Sequence, residues 1–565
     1  MIEFTHLTTQ CSQRTGKGNA IRTTLTTSSD EQKRVTRSAG IVSIAVMGSR
    51  ILGLVREKVI AYYFAADIAG DAFYGAFRIP NLMRDLFGEG ALSKAFVTTF
   101  TATRIEEGEA AAWRLANRVF NAAALVVTLI TLLGILGAPL VVDLMFIGEG
   151  FQDFDIDPAE HFGFSTKRDL TVYLARVMFP FLTLVSLAAV AMGLLNSSGK
   201  FAVPACASSF FNVGSLIVGV WGYYVAPKFN LHPTTGMAAG VLVGGVLQFL
   251  IQLPSLWRIG FRYRPLLSFR DRRVRQVMRL MGPAVVGVAA VQVNVLVNSI
   301  FASKVEGWVT WLSRAFRLMH LPIGVIGVAI STAALPSLAR LVTQGQMEGY
   351  RRSISHALRT MLLLTLPASI GLMALTTPIC RLLFEGGKAD AADTSQTAAA
   401  LFFYAFGLCG YSAVKIVTDG FYAFNDTRTP VKVSLFTVFL NLALNYVFIY
   451  RLGFDHRSLA LSTSCTITLN FLVLLVLLRG KVGRLGLDGI WLWLFKLTVI
   501  SSGMGVVCWW VNAELEGWLG TANLLARLAG VFAPMAVGTV VLVVGCKALR
   551  VRELEGLLQA ILRRR

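Results

Sequence analysis

Residues that build metal sites and disulfide frameworks are few in this sequence, and none is spaced for that purpose. The six histidines form no HxxH or HExxH pair, so the sequence gives no support to a zinc hydrolase. The seven cysteines are odd in number and scattered, without a CxxC pair, and predict neither disulfides nor a metal centre. They are Cys11, Cys206, Cys380, Cys409, Cys465, Cys508 and Cys546.

Charge is also scarce, and negative charge most of all. Only 15% of the 565 residues are charged, with 53 Lys and Arg against 32 Asp and Glu, which gives a net charge of +21. The basic residues are spread through short loops beside apolar stretches. Membrane topology and anionic lipid headgroups account for that distribution, so we expect no nucleic-acid partner.

Long hydrophobic runs dominate what is present. Hydrophobic residues make up 55% of the chain and the mean hydropathy is +0.62, outside the range of soluble domains. Windows of about 20 residues predict an all-α polytopic membrane protein with about fourteen transmembrane helices. The predicted spans are centred near Val46, Leu86, Val127, Leu184, Leu216, Val241, Val291, Ile326, Leu364, Phe406, Leu440, Leu469, Ile500 and Val537.

The loops between these spans alternate in charge. The stretch from Arg258 to Arg279 carries eight arginines, and residues 549–565 form a basic tail, whereas residues 149–160 hold five acidic side chains. By the positive-inside rule, both termini are predicted to be cytoplasmic. Residues 1–37 are polar and rich in Thr and Ser, without the apolar core of a signal peptide, and we interpret them as a disordered cytoplasmic extension.

Charged side chains nevertheless interrupt the first two spans. An Arg near the middle of a membrane helix costs roughly 2.5–3.5 kcal/mol on insertion scales, a penalty that packing alone would not select four times. We therefore predict that these side chains line a hydrated cavity that receives an anion. They are Arg50, Arg56, Asp71, Arg78, Arg84 and Glu89.

Two internal correspondences indicate a repeated architecture. The tripeptide Ala76–Arg78 in the second span recurs as residues 315–317 in the eighth, and residues 193–204 resemble residues 420–430 in position and turn composition. They predict two six-helix pseudo-repeat lobes, spans 1–6 and 7–12, with the cationic cavity between them. The predicted limits are 38–260 for the N-terminal lobe, 272–480 for the C-terminal lobe and 488–548 for two extra helices.

Five stretches form a longer pattern. SRILG at residues 49–53, with Arg56, is followed by GDAFYGAFRIPNLMRDLFGEGALSKAFV at 70–97, and further matches lie at 281–303, 316–339 and 426–434. This pattern resembles the MurJ/MviN family of lipid II flippases, part of the exporter superfamily that includes the MATE proteins. The resemblance covers spans 1–12 and leaves spans 13 and 14, and the N-terminal extension, weakly supported.

The resemblance implies a transporter rather than an enzyme. Its substrate would be lipid II, a diphosphate that joins an undecaprenyl chain to a disaccharide pentapeptide, moved from the inner to the outer leaflet of the bacterial cytoplasmic membrane for cell-wall synthesis. The family assigns the cavity role to Arg50, Arg56, Arg84 and Arg317. Guanidinium groups suit a diphosphate because they bind its oxygens bidentately and keep their charge.

A second set of residues comprises cavity or gating candidates: Ser49, Asp71, Arg78, Glu89, Arg314 and His320. The two carboxylates are expected to pair with the cavity arginines or to gate one face, and for Asp71 a helix N-cap is the alternative. Arg314 is expected to add positive charge to the cavity. His320 either senses pH or replaces an acidic partner of Arg317, and the alternative is a buried, satisfied histidine.

The energy source has less support in the sequence. Some relatives hold a cation between spans 7, 11 and 12, where this chain offers neutral candidates only: Asn294, Asn298, Asn441, Asn445, Thr463 and Thr466. Hydrogen bonds that join the helices are the alternative role for them. No GxxxxGK[ST] motif for ATP occurs, so we expect no cofactor and an alternating-access cycle driven by a membrane potential or an ion gradient.

Two other functions share this architecture. A flippase for another undecaprenyl-diphosphate-linked oligosaccharide, of the O-antigen or capsule type, would bind the same diphosphate. A MATE-like drug exporter would need carboxylates in its cavity for a cationic drug. The expected partners are lipid II and membrane lipids, and we expect a monomer that contacts the cell-wall synthesis machinery.

Overall fold

The protein is described by a computed structural model over residues 45–84, 91–152, 157–159, 161–486, 489–551 and 553–554. Within these ranges the fold is all-helical, and Gly386 and Ala389 form an isolated β-bridge. The predicted extension 1–37 and residues 555–565 of the predicted basic tail lie outside the described residues.

The described residues from 45 to 258 contain helices α1 to α11. Helix α1 covers residues 45–63. It is followed by α2 Ile68–Arg84, α3 Ala91–Glu106, α4 Glu109–Leu136, α5 Ala138–Met145, α6 Glu149–Gln152, α7 Lys167–Met178, α8 Pro180–Ser197, α9 Ala202–Val225, α10 Thr234–Leu250 and α11 Leu253–Arg258. We refer to α1–α11 as the first lobe.

The second lobe, α12–α20, and two further helices complete the described chain. The second lobe consists of α12 Arg272–Ala302, α13 Trp308–Pro322, α14 Val328–Thr343, α15 Met347–Ala374, α16 Thr376–Phe384, α17 Ala391–Phe406, α18 Leu408–Tyr422, α19 Arg428–Tyr446 and α20 Arg457–Val482. The extra helices are α21 Ile490–Leu519 and α22 Leu524–Ala548. A π-helical turn, Ile323–Gly327, joins α13 to α14.

Eleven stretches of the described residues are long and apolar enough to cross a membrane. Each contains one predicted centre, from Val127 in Glu109–Leu136 to Val537 in Leu524–Ala548. The three remaining centres are Val46 in α1, Val291 in α12 and Leu86, which lies outside the described residues. The all-helical polytopic fold is therefore confirmed, while the residue limits of the lobes stay a prediction.

The repeated motifs occupy corresponding places. Residues 76–78 lie in α2 and residues 315–317 in α13, so each lobe contributes one Phe-Arg pair. The second motif forms the turns α8–α9 and α18–α19, where Gly199 has φ +72° and Asn425 has φ +57°. Both residue types tolerate this left-handed conformation, which explains the Gly and Asn at these turns.

The lobes close against each other at the end where α1 turns into α2. The carboxylate of Asp393, at the start of α17, accepts hydrogen bonds from the Ala66 amide and the Trp311 indole, both at 2.9 Å. Three further bonds end on main-chain carbonyls: Arg314 Nη2 to Phe64 O at 2.7 Å, the Lys388 amide to Tyr62 O at 3.0 Å and Lys58 Nζ to Leu382 O at 2.5 Å. We call this end of the interface between the lobes, with these contacts, the closed end.

Candidate functional site: a cationic central cavity

A cavity of about 650 Å³ lies between the two lobes. Helices α1, α2, α9 and α10 of the first lobe and α12, α13 and α18–α20 of the second contribute to its walls. No Asp or Glu is found among its described lining residues. Five arginines line it: Arg50, Arg56, Arg78, Arg84 and Arg317. The structure thus places all four family-assigned arginines, together with Arg78, in one space.

Arg56 and Arg317 meet at a buried carboxylate, that of Glu57, which is only 1% exposed. Glu57 Oε1 accepts from Arg56 Nη2 at 3.3 Å and from Arg317 Nη1, while its Oε2 accepts from the Tyr74 hydroxyl at 2.9 Å. The Arg56 guanidinium also lies over the Phe211 ring, 5.1 Å from its centroid. One anionic group therefore holds a cation from each lobe.

Sequence reasoning missed Glu57. The sequence offered His320 in place of an acidic partner of Arg317, but the structure supplies a carboxylate from α1, 260 residues away. One signal was present: a Glu directly after Arg56 in an apolar stretch is as costly to bury as the arginine and needs an equally specific reason.

Two further arginines are positioned by small neighbours. Arg78 donates from Nη1 to Ser299 Oγ at 2.6 Å and from Nη2 to Ser313 Oγ at 2.7 Å, so a first-lobe guanidinium is held by hydroxyls of α12 and α13. Arg50 lies against Gly324 in the π-helical turn, where an added Cβ would come within 2.2 Å of Arg50 Nη2. Glycine is needed there because only the absence of a side chain leaves room for the guanidinium.

Asp71 does not pair with the cavity arginines, which corrects that part of the expectation, while a gating role stays a prediction. Its Oδ2 accepts from the Gly307 amide at 2.7 Å, and its Oδ1 accepts from the amide and hydroxyl of Thr310 at 3.0 and 2.7 Å. The fully buried Lys167 lies 3.2 Å from the same carboxylate. Asp71 thus caps α13 of the opposite lobe. At the start of α2 it is the carboxylate of Asp67 that accepts a hydrogen bond, from the Gly70 amide.

Arg314 is also misplaced by the sequence prediction. It is fully buried, donates to the Phe64 carbonyl at the closed end and lies over the Phe384 ring, 5.6 Å from its centroid. It is not among the lining residues of the cavity. Although Arg314 and Arg317 share a helix face, Arg314 begins one turn closer to the closed end and its side chain contacts the other lobe there.

The three remaining candidates fall in different places. Ser49 is not among the lining residues, and its carbonyl accepts a bond from Asn212 of the wall at 3.1 Å. Glu89 lies outside the described residues. His320 lines the cavity, with its ring centroid 4.1 Å from that of Phe316 and its Nδ1 3.0 Å from the Phe316 carbonyl.

Five of the six cation candidates form a neutral hydrogen-bond network between α12, α19 and α20, and the sixth, Asn294, lines the cavity apart from it. Asn445 Nδ2 donates to Asn298 Oδ1 at 2.9 Å and to Asn441 Oδ1 at 3.1 Å, and Asn298 Nδ2 donates to Thr463 Oγ1 at 2.9 Å. Asn441 Nδ2 lies 3.5 Å from Thr466 Oγ1. A hard cation needs convergent oxygens and favours carboxylates, whereas the centre of this network holds an amide donor, so these residues do not fit a cation site.

The chain is similar in sequence to known proteins along most of its length. The sequence model of the family "Lipid II flippase MurJ" matches residues 60–530. A probable lipid II flippase MurJ of Vibrio cholerae is 33% identical over 488 residues, covering 86% of this chain and 91% of that protein. The lipid II flippase MurJ of Burkholderia cenocepacia is 36% identical over 438 residues, covering 77% and 81%.

Solved structures give the same result. A lipid II flippase MurJ in an inward closed conformation superposes with a TM-score of 0.70 at 25% identity, over 90% of this chain and 99% of that one. An inward-facing MATE multidrug transporter superposes with a TM-score of 0.64 at 14% identity, over 79% and 98%, which shows a shared fold alone. On the family match and these relatives, the chain belongs to the lipid II flippase MurJ family.

Proposed function

We propose that this protein transports lipid II from the inner to the outer leaflet of the bacterial cytoplasmic membrane. The observation that carries the proposal is the cavity wall, with five arginines and no described carboxylate. A diphosphate is the part of lipid II that such a wall recognises, because guanidinium groups bind its oxygens bidentately and remain charged in a partly dehydrated space. The protein acts as a transporter and not as an enzyme.

Glu57 supplies the exchangeable anion in this mechanism. In the absence of substrate it balances Arg56 of the first lobe and Arg317 of the second. A diphosphate entering the cavity offers the same two guanidinium groups more oxygens and more negative charge. Binding therefore transfers Arg317 from Glu57 to the substrate and changes how strongly the two lobes attract each other around it.

Alternating access follows from where the lobes touch. They are joined at the closed end through Asp71, Asp393 and Arg314, while the cavity lies on the other side of these contacts. With the predicted topology, in which both termini are cytoplasmic, the closed end faces outward and this arrangement is ready to accept substrate from the inner leaflet. Breaking the closed end and closing the cytoplasmic side would present the diphosphate outside.

The energy source, the tail path and the assembly complete the proposal. A membrane potential or an ion gradient drives the cycle, without a bound cofactor. Helices α21 and α22 expose apolar side chains such as Trp491, Trp510 and Phe532, which suits contact with the undecaprenyl chain and the bilayer. We expect the protein to act as a monomer that can contact the cell-wall synthesis machinery.

The test is complementation of a strain depleted of its native lipid II flippase. Expression of this chain should restore growth and the appearance of labelled lipid II in the outer leaflet. A strain that lacks an O-antigen flippase serves as the parallel arm, because that substrate shares the diphosphate. Rescue of the second strain and not the first would overturn the proposal and favour the other lipid-linked oligosaccharide.

A further inference from the structure

The cavity has a second wall that the arginines do not explain. Helices α12, α19 and α20 line it with neutral carboxamide and hydroxyl groups: Gln292, Asn294, Asn298, Ser434, Thr437, Thr466 and Asn470. We call this set the amide wall. The five arginines that suit a diphosphate come from α1, α2 and α13, so the amide wall is left for another part of the ligand. Its chemistry instead matches groups that donate and accept neutral hydrogen bonds.

Asn470 is held in a fixed orientation within this wall. It is only 4% exposed, and its Nδ2 donates to Thr437 Oγ1 at 3.0 Å and to Ser434 Oγ at 3.4 Å, both on α19. Its Oδ1 is buried and has no hydrogen-bond partner in the described structure. The two hydroxyls thus use the amide donor of Asn470 and leave its acceptor unpaired.

Asn294 of α12 shows the same feature, since its Oδ1 is buried without a partner while the residue lines the cavity. A buried acceptor that lacks a donor costs about 1–3 kcal/mol, so two in one wall need an explanation. A ligand that brings hydroxyl or amide N–H groups would remove this cost. A carboxylate ligand would not, because it has only acceptors at neutral pH.

We propose that the amide wall is the subsite for the sugars of the lipid-linked substrate, with Asn294 and Asn470 as acceptors for glycan hydroxyl or acetamido N–H groups. This inference rests on the proposed function and deepens it. The arginines bind the diphosphate that every such lipid carries, and the amide wall selects lipids by what is attached to it. A site built to pair with a hydroxyl or N–H discriminates strongly against a ligand that lacks the group.

Binding of three lipids to the purified full-length protein in nanodiscs tests the proposal. They are undecaprenyl diphosphate without sugar, the same lipid with the disaccharide but no peptide, and lipid II. The variants are Asn470→Leu and Asn294→Leu, which keep side-chain size and remove the amide. Asn512→Leu is the matched control, because Asn512 is a buried Asn of α21, 8% exposed, that bonds Gly530 O at 2.8 Å away from the cavity.

We expect each amide-wall variant to weaken binding of both sugar-bearing lipids by about 3- to 10-fold, the effect of one neutral hydrogen bond. Binding of undecaprenyl diphosphate should stay unchanged, and the control should bind all three lipids like the wild type. If Asn470→Leu does not fold, as judged by its thermal unfolding, Asn470→Ala and Asn294→Leu provide the same comparison.

Three results would overturn the assignment to sugars. They are unchanged binding in both variants, an equal loss for all three lipids, and a loss confined to the peptide-bearing lipid, which would place the peptide at this wall. Failure of the wild type to bind lipid II would overturn the proposed function itself. The two failures are therefore distinguished by the wild-type measurement.

Discussion

Glu57 of α1 and Arg317 of α13 form an ion pair between the two lobes, with Arg56 on the same carboxylate oxygen. Glu57 is 1% exposed, so its carboxylate cannot exchange the guanidinium groups for water at low cost, whereas the Arg317 side chain is 33% exposed and can be reached from the cavity. The pair therefore stays together until another anion reaches the guanidinium group. That property makes it the point at which substrate binding and lobe movement meet.

Substitution of Arg317 tests whether the diphosphate is held between the lobes. Arg317→Lys keeps the charge but loses the two-pronged donor, so partial transport is expected, whereas Arg317→Ala should bind lipid II weakly and not transport it. Transport into the outer leaflet and lipid II binding are measured on the same preparations. Arg352→Ala is the control, since Arg352 lies in a surface pair with its side chain 79% exposed. Wild-type binding and transport by Arg317→Ala would reassign this residue to helix packing.

Removal of the competing anion should separate binding from transport. In Glu57→Gln the two guanidinium groups lose their internal partner, so lipid II should bind more tightly while transport slows, because nothing replaces the diphosphate when it leaves. The comparison is affinity against transport rate, with Glu348→Gln at an exposed pair as the control. An affinity and a rate both equal to those of the wild type would contradict the exchange mechanism.

Asp71→Ala should destabilise the protein strongly. The change takes the Asp71 carboxylate away from the buried Lys167 ammonium, which costs about 3–5 kcal/mol, and removes the cap of α13, worth about 0.5–2 kcal/mol. Thermal unfolding in detergent measures it, and Glu348→Ala should change stability by less than about 1 kcal/mol.

A double variant distinguishes the ion pair from the cap. Asp71→Leu combined with Lys167→Met removes both charges, so it should be more stable than Asp71→Ala alone. A double variant no more stable than the single one would show that the loss of the cap, which both variants share, and not the buried charge, dominates.

Two carboxylates outside the membrane spans should make the closed end pH-dependent. Burial raises the pKa of Asp67, and the neighbouring carboxylates of Asp71 and Asp393 raise it further, against the Lys388 ammonium and the Gly70 amide. Burial likewise raises the pKa of Glu306, with Asp71 and Asp67 adding to the effect and Lys167 opposing it. A carboxyl group whose pKa is raised in the closed arrangement favours closure fully at pH values below its ordinary pKa. That contribution is lost as pH rises through the raised pKa.

Closure should therefore be tighter near pH 4 than near pH 8. A cysteine introduced by Ser303→Cys reports the degree of closure. Ser303 is fully buried at the closed end, and its hydroxyl accepts a hydrogen bond from the Gly148 amide at 2.9 Å. Labelling by a membrane-impermeant thiol reagent is compared with that of Ala159→Cys, an exposed position, to correct for the reactivity of the thiol itself. A ratio that does not change with pH would contradict this prediction.

The sequence predicted the architecture well because membrane spans are local in the chain. Runs of apolar residues and the arginines that interrupt them are visible without any knowledge of packing, and Arg50, Arg56, Arg84 and Arg317 indeed share one cavity. The Phe-Arg repeat was informative for the same reason, since each copy lies in its own helix.

Long-range partners were not accessible in this way. Glu57, Asp71 and Arg314 each take their role from a residue more than two hundred positions away or on the other lobe. Helical spacing put Arg314 on the cavity face, but the choice between cavity and closed end depends on the height at which α13 meets α1. That height is set by tertiary packing and is not encoded in any local pattern.

The main-chain acceptors of the closed end have a genetic consequence. Arg314, Lys58 and the Lys388 amide all bind carbonyl oxygens, and no substitution deletes a carbonyl. A random mutagenesis screen for weakened closure can reach Arg314 and Lys58 but leaves their acceptors in place. Covariation at these three contacts will be equally one-sided, so the positions that they join will look independent in sequence data although they are in direct contact.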